Sequence, residues 1–254
     1  MHYHIIPDAS SFAEAMEIKK EYDISFEYND FWHPEVYCNS AKIDELISLY
    51  KSAGDLSNDT MHGAFLGLDL AALDPILKER SQKLLDQSMD IANRLGVKGV
   101  VFHTGLIGGL DLDYYLENWL NEATSFWTKE CEQYPDLTVY IENSFEHSPD
   151  VFCELLKRMG NVKNIKLCFD YAHAILTPTP IETWAKKLSP YIGHMHINDN
   201  DLKNDLHLPL GEGKIDFKEL KTLFEKYELD CSVLLELNGY EGIKKSLTFV
   251  NELM

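Results

Sequence analysis

The stretch IGHMHINDNDLKNDLHLPLGEGKIDF, residues 192–217, reads as one strand–loop–helix unit. Its first residues form a short apolar run in which His194 and His196 lie two apart, so both point to one face of a strand. A polar, acidic loop follows, carrying Asp199, Asp201, Asp205 and His207. It closes on Gly211-Glu212-Gly213, where glycine lets the backbone turn sharply before the next helix. Imidazoles and carboxylates packed this densely are what a divalent metal site needs, although a polar loop with two histidines can also be plain surface.

The same unit recurs along the chain. β-rich runs at residues 2–6, 24–28, 60–65, 99–103, 138–142, 166–170, 193–197 and 232–237 alternate with amphipathic stretches. Those stretches are residues 11–22, 41–53, 74–95, 112–134, 149–158, 180–188, 217–227 and 243–253. Apolar residues in them recur at helical spacing, as in Leu84, Leu85, Met89, Ile91, Ala92 and Leu95, with Gly96 as a stop and Ser148-Pro149 as a start. Eight strands alternating with eight helices predict an α/β protein, a closed parallel (β/α)8 TIM barrel. No linker, short-period repeat or low-complexity tract interrupts the pattern, so residues 1–254 are expected to form a single domain.

Composition narrows the function. Acidic residues number 42 against 23 basic ones, a net charge of −19, whereas a protein that lives on a nucleic-acid backbone usually shows a basic face. The three arginines, Arg80, Arg94 and Arg158, all fall in stretches read as outer helices. This counts against nucleic acid as a partner and favours a small polar substrate. No apolar run is long enough to span a membrane, and the start MHYHIIPDASSF has no secretory signal pattern. The five cysteines are scattered with no CxxC pair, as expected of reduced thiols in a cytoplasmic protein.

In a barrel of this kind the loops after the strands build the active face. The last residue or so of each later strand is His62, His103, Glu142, Asp170, His196 and Glu236, and His173, Asp205 and His207 sit in the loops just beyond. Six consecutive strands thus deliver a carboxylate or imidazole to one rim. Glu142 ends VYIEN and Glu236 ends LLELN; a carboxylate at the end of an apolar strand is costly unless it is paired or bound to a cation. Singly, His62 and His103 could be hydrogen-bonded core histidines, and Asp170-x-x-His173 could be a helix cap with a surface histidine. His33 and His147 read as loop residues, and His4 as a strand residue of undecided role.

With these residues in view the chain resembles the xylose isomerase-like barrel superfamily, which also contains the endonuclease IV family of apurinic-site nucleases. The resemblance runs from Ile24 to the C-terminus and rests on HGAFL (62–66), FHTG (102–105), IEN (141–143), Asp170-x-x-His173, HIND (196–199), Asp205-x-His207 with LGEG (210–213), and LEL (235–237). The sugar isomerase and epimerase branch implies one divalent ion, often manganese, magnesium or cobalt, on Glu142, Asp170, His196 and Glu236. In that branch Glu142 and Glu236 shuttle a proton as catalytic base and acid on a ketose, free or phosphorylated, as part of carbohydrate metabolism. His173 would hold a substrate oxygen, and His62, His103, His207 and Lys203 would be further substrate contacts.

The endonuclease IV branch implies three zinc ions, with His62, His103, His173, Asp205 and His207 as additional ligands, for an in-line phosphodiester displacement at an apurinic site. Phe65-Leu66 falls where that family places a Tyr-Leu pair against DNA. The only basic residues near the mouth are Lys203 and Lys214, too few for a DNA groove. Leu202 and Lys203 stand where an epimerase often has an arginine after the strand-seven histidine. The acidic balance favours the isomerase or epimerase reading. The aromatic segment from Tyr28 to Pro34 is expected either to wall the pocket against a sugar face or to pack as a surface loop. Members of the superfamily range from monomer to tetramer, so a homo-oligomer is possible and the oligomeric state is left open.

Overall fold

A computed structural model of the protein describes residues 2–107, 110, 112–144 and 146–253; Met1 and Met254, the ends of the expected domain, lie outside the described residues. Strand and helix alternate throughout. The strands are β1 (His2–Ile5), β2 (Ser25–Tyr28), β3 (Thr60–His62), β4 (Gly99–His103), β5 (Thr138–Glu142), β6 (Ile165–Asp170), β7 (Ile192–Ile197) and β8 (Ser232–Leu235). They pair in parallel in chain order, and β8 closes on β1. The helices are α1 (Phe12–Tyr22), α2 (Pro34–Tyr37), α3 (Ser40–Lys51), α4 (Pro75–Leu95), α5 (Asp113–Gln133), α6 (Asp150–Met159), α7 (Tyr171–Ile175), α8 (Ile181–Leu188), α9 (Phe217–Lys226) and α10 (Tyr240–Leu253). The fold is a (β/α)8 TIM barrel, as the alternation implies.

Local chemistry sets the boundaries. Asp74 caps α4 by accepting the Ile76 N–H at 2.8 Å, and Pro75 occupies the first turn. The helix ends at Gly96, whose φ of 81° lies in the left-handed region that glycine enters at little cost. Between these caps Leu84, Leu85, Met89, Ile91, Ala92 and Leu95 are buried. Two strands are shorter than their apolar runs. β3 ends at His62, although the Gly63 N–H still donates to the Val101 carbonyl at 2.9 Å; Gly63 lies against the Phe102 ring, leaving 2.2 Å where a Cβ would stand. β8 stops at Leu235, yet the Glu236 N–H still donates to the Ile197 carbonyl at 3.0 Å, which holds Glu236 at the strand's end.

Side-chain alternation divides the strands between two environments. Met61, Phe102, Ile141, Phe169, Met195, Val233 and their neighbours belong to the large core between sheet and helices. The opposite face fills the barrel interior, where Val101, Tyr140 and Cys168 form a small apolar cluster of their own. His4, Glu27, Thr60, His194 and Ser232 are buried on this inner side as well. The interior is therefore polar at several levels, and not only at its mouth. No helix among the described residues is long and apolar enough to cross a membrane.

Candidate metal centre

The carboxyl ends of β3 to β8 bring their polar residues together. Glu142 is the hub. Its Oε2 lies 3.3 Å from His62 Nε2 and 3.2 Å from His103 Nε2, while its Oε1 lies 3.1 Å from His196 Nδ1. His196 Nδ1 is also 3.5 Å from Glu236 Oε2. Asp170 ends β6 and caps α7, accepting the His173 N–H at 2.6 Å, so the D-x-x-H spacing is a capping turn that presents both residues at the mouth. Asn143 braces Asp170 by donating to its carbonyl at 2.8 Å and accepting its N–H at 2.9 Å.

Asp205 stands between two imidazoles, 3.2 Å from His173 Nε2 and 2.9 Å from His207 Nε2. The other nitrogen of each ring is anchored in the backbone. His173 Nδ1–H donates to the Asn143 carbonyl, His207 Nδ1–H to that of Glu236, and His62 Nδ1–H to that of Gly63, each at 2.9 Å. A carbonyl only accepts, so the proton is on Nδ1 in all three and the Nε2 atom is turned to the site.

Three groups result, each with ligand atoms within 4.8 Å of one another: Glu142, Asp170, His196 and Glu236; His62, His103 and Glu142; His173, Asp205 and His207. Their ionisations depend on one another. Burial and the neighbouring carboxylates of Glu236 and Glu142 push Asp170 up to about 7, against the opposing pull of His173. Burial also works against ionised Glu142, but His196 and His103 outweigh it and hold this carboxyl well below the usual range. The hydrogen bond to Asp205 lifts His207 to about 9. Asp170 Oδ2 and Glu236 Oε2 are buried with no hydrogen-bond partner among the described residues. Oxygen and imidazole donors, with two carboxylate oxygens left over, suit a divalent metal ion.

A further cluster, Cys168, His194 and His196, lies deeper in the barrel. Both ring nitrogens of His194 are committed, Nδ1 to Ser232 Oγ at 2.7 Å and Nε2 to Glu27 Oε2 at 3.1 Å. Burial raises the Cys168 thiol well above its ordinary value, so it stays protonated. These two side chains read as part of the packing. Glu27, fully buried in β2 and touching His194 and His196, escaped the sequence reading. It is a lone acid between Phe26 and Tyr28, the same signal that marked Glu142, but one residue short of the strand's end.

Above these groups opens a cavity of about 610 Å³, walled by Trp32, Phe65, Leu66, Leu68, Leu106, Leu176 and Pro178 and floored by His62, His103, His173, Asp205, His207 and Glu236. From the aromatic segment, Asn29 and Trp32 reach the wall while Phe31 is in the core; the loop residue His147 also lines the cavity. No lysine or arginine is among the described lining residues. Lys203 is exposed and outside the wall. Of the acidic loop, only Asp205 and His207 face the cavity: Asp199 accepts backbone N–H groups and Asp201 caps a turn at Lys203 and Asn204.

The chain has relatives among known proteins. The protein is 24% identical to a Thermus thermophilus protein in a structure soaked with zinc chloride, with a TM-score of 0.80 over 100% of this chain and 98% of that one. A D-tagatose 3-epimerase-like protein superposes with a TM-score of 0.78 at 22% identity, covering 100% of this chain and 97% of that one. A probable endonuclease 4 of Mycobacterium ulcerans is 26% identical over 205 residues, which are 76% of this chain and 77% of the relative. The family profile described as xylose isomerase-like TIM barrel matches residues 15–253, so the chain belongs to that family.

Proposed function

We propose that the protein is a divalent-metal-dependent isomerase or epimerase of an unphosphorylated ketose sugar. The observation that carries this reading is the group Glu142, Asp170, His196 and Glu236, at a cavity with apolar walls and no lysine or arginine among its described lining residues. A phosphate would need a lysine, an arginine or a long helix N-terminus at the mouth. The D-tagatose 3-epimerase-like relative accords with a sugar substrate.

A divalent ion on these four residues would supply the positive charge that polarises a carbonyl and acidifies the adjoining C–H. The remaining work falls to side chains. Glu142 and Glu236 approach from β5 and β8, and the two carboxyls suit removal of the carbon-bound proton by one and return of a proton by the other. His173, His62, His103 and His207 present ring nitrogens to substrate oxygens. Trp32 and Phe65, whose rings are 5.0 Å apart, offer an apolar face for the sugar's C–H groups and keep water away.

A second reading, a trinuclear zinc phosphodiesterase acting at apurinic sites, is favoured by the groups His62–His103–Glu142 and His173–Asp205–His207, and by the endonuclease 4 relatives. Metal content of unchelated protein separates the two. About one ion per chain, with turnover of a ketose and solvent deuterium entering the carbon beside the carbonyl, is the expected result. About three zinc ions, with cleavage of an abasic duplex that chelation abolishes, would replace it by the second reading. Glu142→Gln and Glu236→Gln are each expected to lower turnover by about a hundredfold or more; full turnover in both would discard the proton shuttle.

A further inference from the structure

The mouth histidines are oriented by different means, and one of them stands apart. His62, His173 and His207 each donate Nδ1–H to a backbone carbonyl and turn Nε2 to the site. His196 is reversed. Its Nδ1 faces Glu142 and Glu236, and its Nε2 points into the barrel, 3.1 Å from Glu27 Oε1. Neither of those last two atoms has an aligned hydrogen-bond partner among the described residues, and the contact between them is short; Cys168 lies beside the same imidazole.

Glu27 is itself held from the other side. Its Oε2 accepts from the Thr60 hydroxyl at 2.7 Å and from His194 Nε2–H at 3.1 Å, and His194 Nδ1 in turn meets the Ser232 hydroxyl at 2.7 Å. Thr60 leans on His4 Nδ1 at 3.2 Å. All these side chains are buried, and they come from β1, β2, β3, β7 and β8. Two donors are spent on Oε2, which leaves Oε1 for His196 alone. A fully buried carboxylate has no reason to be there unless its oxygens are occupied.

We propose that Glu27 is a positioning residue for the metal centre, keeping the His196 proton on Nε2 so that the Nδ1 lone pair faces the ion. A carboxylate only accepts, so an imidazole packed against it presents N–H on that side and the bare nitrogen on the other. The pairing also makes the ligating nitrogen more basic. The inference rests on the metal-binding part of the proposed function and is independent of which reaction follows.

Zinc alone, a diamagnetic probe, tests it. Glu27→Gln is close in shape but carries no charge, and its zinc dissociation constant, measured by competition with a chelating dye, is expected to rise between about tenfold and a hundredfold. In histidine 15N-labelled, zinc-loaded unaltered protein, long-range 1H–15N spectra should show His196 protonated at Nε2 and metal-shifted at Nδ1. Zinc found on Nε2 would overturn the assignment without any variant, and that measurement decides even where Glu27→Gln does not fold. Affinity in the variant within about twofold of the unaltered protein, with only its thermal midpoint lowered, would make Glu27 a packing residue. Failure of the unaltered chain to bind zinc would sink both this inference and the metal-dependent function, whereas the other two outcomes leave that function standing.

Discussion

A buried carboxylate in this protein is defined by what its two oxygens meet. Glu142 meets imidazoles, Glu27 meets two imidazoles and a hydroxyl, and Glu146 meets the Thr104 hydroxyl and, at 2.8 Å, the Ser144 N–H. The last has no imidazole within ion-pair distance, and burial raises its pKa despite those hydrogen bonds. Stability follows with a definite sign. Below the ordinary glutamate pKa, near 4.3, both folded and unfolded chains hold the proton and the full stability is present. As pH rises the unfolded chain releases the proton first, so stability falls until pH passes the raised folded value. Glu146→Gln removes this term, and the drop in thermal midpoint from about pH 4 to about pH 7 should be smaller than in the unaltered protein. An equal drop in both would show that Glu146 ionises freely in the fold.

At the scale of elements, the segment between β7 and α9 shows why an acidic loop need not be a metal loop. Asp199 is fully buried and accepts the N–H groups of Asn200, Gly211, Gly213 and Ile215 at 2.8, 2.9, 2.8 and 3.1 Å. Antiparallel bonds between Asp199 and Leu208 tie the loop into a hairpin, and Gly213 lies so close to the Asp199 carboxylate that no side chain would fit. One carboxylate thus folds the loop that holds Asp205 and His207 over the cavity. Asp199→Ala leaves four N–H groups without their acceptor, those of Asn200 and Ile215 in buried residues, and should cost about 3 kcal/mol in urea unfolding. It should also loosen the hold on Asp205 and His207 at the cavity. A loss under about 0.5 kcal/mol would mean that the loop is held by other contacts.

For the whole molecule, the dominant fact is a net charge of −19. The arginines are spent on outer helices, Arg94 against Asp44 and Asp90 and Arg158 against Glu117 and Glu154. Like charges left over on the surface repel one another through water, and salt screens them over about 10 Å at 0.1 M. Raising sodium chloride from about 0.01 to about 0.2 M, with chelator present, should therefore raise the thermal midpoint by a few degrees. A midpoint that falls with salt would mean that the surface ion pairs outweigh the repulsion. The same excess of acid repels a polyanion at long range.

Much of this was legible in the chain itself. The alternation of short β-rich runs with amphipathic helices determines a parallel barrel, because both periods are local and each unit repeats them. The rule that strand ends build the active face then brings His62, His103, Glu142, Asp170, His196 and Glu236 to one rim. Tertiary structure alone decided the rest. Asp199 and Asp205 are equivalent in sequence, yet one binds backbone amides and the other stands between two imidazoles. The direction of each imidazole depends on partners far along the chain: Glu27 and His194 are 167 residues apart and meet only when the barrel closes. Periodicity records which face of a strand a residue occupies, but not which atom of a distant residue waits there, and metal-site chemistry depends on that atom.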